Sequence, residues 1–323
     1  MTRALIIWNP CAGKASTDEA QEVRQQLEAI PTIEIVEAES NRQARVLAER
    51  ARRHDFQVVV AAGGDGTVNA VANGLYRGAL PARKSPIVMG VLPIGTANDF
   101  ALTLGLPDDL QQAHEVLRNG TPRDLDLIEI ATSGEPACYA NVAAGGNSDR
   151  VTEALTDEIK QTWGPLCYLR GAIGVLADLE AYQVEVQFDD ESPLRLPVWN
   201  VIVANGRTNA GHLPLAPRAN PEDGLMDVIL IKEGTGFDLA SVAANFILQT
   251  YLECDQVEYR QVHKLRITSD PQLRFSIDGE PIDDQPVVFR SLHQFLPMLV
   301  GPDYTPSPQT NGDDTATARG PNG

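Results

Sequence analysis

The stretch VVVAAGGDGTVNAV, residues 58–71, constrains this chain more than any other. A β-branched run of strand character passes through a glycine-rich turn straight into an apolar-periodic segment. A strand that enters a helix through such a turn belongs to an α/β architecture, with the turn at the carboxyl edge of a parallel sheet. One carboxylate, Asp65, stands between Gly64 and Gly66. The turn is not the dinucleotide fingerprint G-x-G-x-x-G, because Asn69 occupies the third glycine position, and it is not a Walker A loop, because no Gly-Lys-Ser/Thr follows. NPCAGKAS at 9–16 fails the second test too, with Ala15 where a Ser or Thr would ligate Mg2+.

Two readings of the turn stand side by side. It is a tight strand-to-helix connection capped by Asp65 or Thr67, or it is a phosphate cradle. In the second reading Gly63, Gly64 and Gly66 let backbone N–H groups approach a ligand, and the helix from Thr67 offers its positive end to an anion. Asp65 would repel a bare phosphate, so it fits there as a partner of a bridging Mg2+.

Around this turn, residues 3–106 alternate short apolar strands with helical patterns, which predicts a parallel sheet covered by helices. From about residue 124 strands dominate, several with alternating apolar and polar residues, as half-buried antiparallel strands have. VEYRQVHKLRIT at 257–268 reads as one such strand, and helices interrupt near 150–180 and 236–252. The fold class expected is α/β plus mainly-β. An N-terminal Rossmann-like, three-layer α/β domain (1–125) precedes a β-sandwich-like domain with a few helices (126–286), and a polar, Pro- and Gly-rich tail (302–323) should be disordered.

The length of 323 residues suits two cores. A formal net charge of −18 argues against nucleic-acid binding, since phosphate contacts need clustered Lys and Arg. The apolar stretch at the N-terminus is too short for a signal peptide, and no apolar run reaches the roughly 18 residues of a membrane helix, so a cytoplasmic protein with at most peripheral membrane contact is expected. Four cysteines, Cys11, Cys138, Cys167 and Cys254, show no C-x-x-C pairing and read as buried reduced thiols.

Two further loops follow strands of the same sheet: NPCAGK after the first and LPIGTANDF after IVMGV. Loops at the carboxyl ends of strands line one crevice in a doubly wound sheet. Asn9, Gly95, Thr96 and Asn98 therefore join the candidate ligand set, while Thr96 and Asp99 also fit an N-cap with an acid three residues on. In the β-rich half, Asp278 and Glu280 flank a glycine in SIDGEP, Asp223 sits in an Asp-Gly turn in ANPEDGL, and Asp124 and Asp126 share a strand face in RDLDLIE. Each fits a hairpin turn or a solvated edge. The Asp-Gly-Glu also fits a general base, since phosphorylating an alcohol requires its proton to be removed as the bond forms.

Taken in order, NPCAG, GGDGTVNAV, LPIGTANDFA, NGRTNAG, ANPEDGLMDV and IDGEP resemble the diacylglycerol-kinase catalytic-domain family, and in particular its bacterial YegS-like lipid kinase branch, over about residues 3–300. The resemblance implies an ATP-dependent lipid kinase with a nucleotide cleft between its two domains, and a last strand (287–301) that returns to the first. It places Gly64, Asp65, Gly66, Thr67 and Thr96 at the nucleotide, with Asp65 also acting through Mg2+. It makes Glu280 the proton acceptor with Asp278 beside it, and it makes the Asp223 carboxylate and the carbonyls of Asn220 and Leu225 ligands of a structural Mg2+ or Ca2+. The chain departs from the family pattern at Ala70, at Asn147 in a wall of the cleft, near Ala38 and Ser40 in the loop after the second strand, and at His212. The partner implied is a lipid such as diacylglycerol or phosphatidylglycerol at a membrane surface. The competing readings are an NAD-kinase-like enzyme with a soluble substrate and a non-catalytic nucleotide- or lipid-binding relative.

Overall fold

The computed structural model describes residues 3–131, 137–147, 179–247, 250–277, 280–282 and 285–306. Its first half is built on four parallel strands, β1 (Ala4–Trp8), β2 (Ile33–Glu37), β3 (Val58–Gly63) and β4 (Val88–Pro93), in the order β4-β3-β1-β2. Consecutive residues of a strand face opposite sides, and the two faces bury different partners. Ile7, Val59 and Ala61 pack against α2 (Asn41–Arg50) and α3 (Asp65–Ala79), whereas Ile6, Trp8, Val60 and Ala62 pack against α1 (Asp18–Glu28) and α5 (Leu110–Asn119). Helix, sheet and helix thus form three layers.

Helices α2 and α3 pack closely because α3 presents glycines to α2. A Cβ on Gly74 would lie 2.3 Å from the Arg45 carbonyl oxygen, and one on Gly78 would lie 2.5 Å from that of Glu49. The contact also orders the pair: both helices run the same way, from the carboxyl edge of the sheet to its opposite edge.

The second half is antiparallel. Its strands are β5 (Thr121–Ala131), β6 (Ala137–Tyr139), β7 (Val142–Gly146), β8 (Tyr182–Phe188), β9 (Leu194–Ala204), β10 (Met226–Lys232), β11 (Val257–Val262), β12 (Lys264–Asp270), β13 (Phe275–Ile277), β14 (Glu280–Ile282) and β15 (Val287–Val300). Alternating residues of β8, β9, β10 and β12 enclose a second core with Phe275 and Phe289. Long β15 joins the halves: it pairs with β12 near its start, with β5 along most of its length, and in parallel with β4 at Met298↔Met89.

Several local expectations change. The run 257–268 is two strands broken at His263, whose N–H donates to Asp189 Oδ1 and whose Nδ1 lies 3.0 Å from the Gly224 carbonyl oxygen. A period-2 pattern that persists through a tight turn conceals that turn. The helix at 236–252 is α6 (Gly236–Ile247) followed by a 3-10 turn, Tyr251–Glu253. Residues 302–306, expected in the tail, pack against the fold: the half-buried Tyr304 donates to Glu222 Oε1 at 2.9 Å, and Arg207 donates to the Thr305 and Pro306 carbonyls. The helices expected near 150–180 lie outside the described residues.

Candidate active site

Helix α3 begins at Asp65 with Gly64 as its N-cap, and no side chain caps it. The capping reading of Asp65 and Thr67 is therefore overturned. Thr67 is buried, and its hydroxyl accepts from Asn9 Nδ2 at 3.0 Å. Asn9 Oδ1 in turn accepts the Cys11 N–H, so this amide ties the first loop to the glycine turn. The N–H groups of Thr67 and Val68 turn back to the Gly64 carbonyl at 2.9 and 3.0 Å, so an anion at this end of α3 would be met by the N–H groups of Asp65 and Gly66, where the helix dipole favours negative charge.

The glycines have a packing reason that spacing does not show. A Cβ on Gly95 would sit 2.3 Å from the Gly64 Cα, one on Gly63 would strike the Thr67 side chain at 2.4 Å, and one on Gly13 would meet Thr96 Oγ1 at 2.5 Å. Backbone lies on backbone where the second and third loops meet, and either glycine would lose that contact with a side chain. Gly66 faces α2, its Cβ position 3.2 Å from Asn41 Nδ2. Buried Asn98 adopts the left-handed conformation, donates to the carbonyls of Pro93 and Gly95, and leaves its Oδ1 without a partner among the described residues.

Asp65 closes the junction. Its Oδ1 accepts the N–H of Phe100, at the start of α4 (Asp99–Thr103), at 2.9 Å. The expected cap by Thr96 is absent: the N-cap of α4 is Asn98, whose side chain makes no capping hydrogen bond, and Thr96 stays exposed. Asp99 reaches away from its own helix. Its carboxylate, 2% exposed, accepts from Gly211 N at 3.0 Å and His212 N at 2.6 Å, while Thr208 donates to the Asp99 carbonyl. His212, one of the departures noted above, has its Nε2 2.7 Å from the Ala97 carbonyl oxygen. Asp99 is the residue that sequence reading undervalued, and it joins the glycine loops to the loop 205–213.

From that loop Arg207 Nε donates to the Ala219 carbonyl at 3.0 Å, leading to the segment with Asn220, Asp223 and Leu225. Asp223 Oδ1 accepts from Leu225 N, and Asn220 Oδ1 accepts from Glu222 N. Burial raises the Asp223 carboxyl above its ordinary range. The donors on offer, a carboxylate and main-chain carbonyls, suit a hard cation such as Mg2+ or Ca2+. Among the described residues no three His, Cys, Asp or Glu side chains cluster, so a metal here depends on the carbonyls.

Asp126, expected as a possible solvated edge, is fully buried. Its oxygens accept from Gly224 N and Gln294 N, both at 2.6 Å, with His293 Nδ1 at 3.0 Å, so it fixes the 220–225 turn to β15. Burial pushes its carboxyl up, and the two main-chain donors oppose that shift. Asp124 is exposed enough to pair with Lys84. Asn147 bonds the main chain of Glu180 and Trp199. Glu280 starts β14, its main chain opposite Ile277 in a hairpin with β13, which pairs with β7. Asp278 lies outside the described residues.

Comparison with known proteins gives consistent matches. The profile of the diacylglycerol kinase catalytic domain matches residues 3–130, and that of the YegS C-terminal NAD kinase beta sandwich-like domain matches residues 140–300. The diacylglycerol kinase of Bacillus subtilis is 27% identical over 303 residues, 93% of this chain and 97% of its own. A Stenotrophomonas maltophilia protein named as a probable lipid kinase, YegS-like, is 32% identical over 244 residues, 74% of this chain and 76% of its own. A diacylglycerol kinase structure from Bacillus anthracis superposes with a TM-score of 0.69 at 20% identity, covering 94% of this chain and 98% of that one. Yeast NADH kinase shares the fold more distantly, with a TM-score of 0.54 at 11% identity over 94% of this chain and 84% of that one.

Proposed function

Because the chain belongs to the diacylglycerol kinase catalytic-domain family and is a lipid kinase, we propose that it transfers the γ-phosphate of Mg-ATP to a primary hydroxyl of a lipid such as diacylglycerol or phosphatidylglycerol. The observation that carries this reading is the uncapped start of α3, where Asp65 sits beside three loops in backbone contact. The N–H groups of Asp65 and Gly66 at the start of α3 bind the phosphates, with Gly64, Thr67 and Thr96 around them. Asp65 is the carboxylate that would hold a Mg2+ brought in with the nucleotide, which when bound would supply charge neutralisation. Glu280 takes the proton from the lipid hydroxyl as its oxygen attacks phosphorus in line, with Asp278 beside it. Phosphoryl transfer of this kind relies on positioning and charge stabilisation, with no covalent enzyme intermediate required. The Asp223 carboxylate and the carbonyls of Asn220 and Leu225 would hold a structural cation, which would brace the 220–225 turn. The lipid is met at a membrane surface by peripheral contact, and among the described residues no helix is long and apolar enough to cross a membrane.

Glu280→Gln tests the base. ATP affinity should stay within about twofold, while turnover falls by roughly a hundredfold or more. Undiminished turnover would remove Glu280 from that role.

A further inference from the structure

The net charge of −18 conceals a local reversal. Residues 41–54, NRQARVLAERARRH, hold five arginines against one acid, Glu49. They form α2 and the 3-10 turn Ala51–His54 that continues it. Ala44, Ala48 and Ala51 are the buried side, pressed under α3, so the long cationic side chains are left on the outer surface. Glu49 is already shared: Arg45 lies 3.8 Å from it and Arg77 of α3 lies 3.6 Å from it. Arg42, Arg50, Arg52 and Arg53 are exposed, and no carboxylate among the described residues pairs with them.

Helix α3 brings more to the same corner. It runs alongside α2 in the same direction, with Gly78 seated on the Glu49 backbone, so the segment after α3 emerges beside the arginines. There Leu80 is 47% exposed, and Arg83 is exposed with no acid partner among the described residues. Asp55 is the nearest acid along the chain after the turn. An exposed leucine among unpaired arginines matches the boundary of an anionic bilayer: guanidinium groups meet headgroup phosphates and the apolar chain enters the layer beneath. The remainder of the molecule is strongly acidic and repels such a surface, so approach is favourable only with this corner forward. At its other end α2 abuts the glycine turn through Asn41 and Gly66, which sets the arginine-bearing helix between the crevice and the corner.

We propose that α2, its 3-10 continuation and the segment 80–83 form a docking face for an anionic lipid bilayer. The assignment rests on the lipid-kinase reading for its purpose, since a lipid acceptor is embedded in a bilayer.

The test is binding of the full chain to phosphatidylcholine vesicles with and without phosphatidylglycerol, at low and high salt. The wild type should bind the phosphatidylglycerol vesicles in a salt-sensitive way, and R50Q/R52Q/R53Q should weaken that binding on the order of a hundredfold. Arg260→Gln, at an exposed arginine already paired with Glu258 on β11, should leave it unchanged. If melting shows that the triple variant is unfolded, the pair L80S/R83Q carries the test, with a several-fold loss expected. A wild type that ignores phosphatidylglycerol vesicles, a folded variant that binds as the wild type does, or a preference for duplex DNA over vesicles would overturn the proposal. Transfer of phosphate by the wild type to a short-chain, monomerically dispersed diacylglycerol is measured in parallel. Transfer without vesicle binding defeats the docking face alone, and vesicle binding without transfer supports the face while defeating the kinase reading.

Discussion

The carboxylate of Asp65 accepts the main-chain N–H of Phe100 at 2.9 Å, so the acid of the glycine turn also holds the first turn of α4 in place. Charge and hydrogen-bond acceptance can be separated at this position. In Asp65→Asn the amide oxygen still accepts from Phe100, so melting should stay close to wild type while turnover falls by about a hundredfold or more. Asp65→Ala leaves the Phe100 N–H unsatisfied and should cost about 1–3 kcal/mol of stability as well. Equal stability losses in the two variants would remove the structural half of the role.

Asp99 should behave differently. Both of its oxygens accept main-chain N–H groups, from Gly211 and His212, so an amide must turn its NH2 toward one of two donors. Asp99→Asn should therefore fail to rescue, losing about 1–3 kcal/mol, with Asp99→Ala at about 2–4 kcal/mol. Thermal melting of the pair reads this directly, and a stable Asp99→Asn protein would contradict the geometry.

The contrast shows what the sequence makes legible. Strand, glycine turn and apolar helix lie within residues 58–79, and their local periodicity reports the parallel sheet and the helix start. Asp99 bonds partners 112 and 113 residues away, and no periodicity encodes such a contact, so it looked like a cap. Asp126 lay in a pattern suited to a solvated strand edge, yet β15 and the 220–225 turn bury it completely. Arg207 could be read as part of a motif, but its grip on the carbonyls of Thr305 and Pro306 depends on where β15 finishes. The arginine run of α2 was legible as a helix, whereas its charge disappeared into the sum over the chain.

His114 on α5 makes stability depend on pH. It is 3% exposed, its Nε2 has no partner among the described residues, and burial lowers its pKa from the ordinary 6.5. Above pH 6.5 both folded and unfolded chains keep this imidazole neutral. As pH falls below 6.5 the unfolded chain takes up the proton first, so stability is lost with a slope of at most about 1.4 kcal/mol per pH unit from this group. His114→Leu should flatten that part of the profile between neutral and mildly acidic pH. A melting profile as steep as wild type in the variant would assign the acid sensitivity elsewhere.

The most direct measurement is transfer of label from γ-labelled Mg-ATP by the purified chain, offered a total lipid extract in detergent and, separately, NAD. The account predicts a labelled lipid with the wild type, none with Asp65→Ala, and no labelled NAD. Label in NAD with none in lipid would contradict it, and would move the chain's chemistry to a soluble acceptor on the same fold.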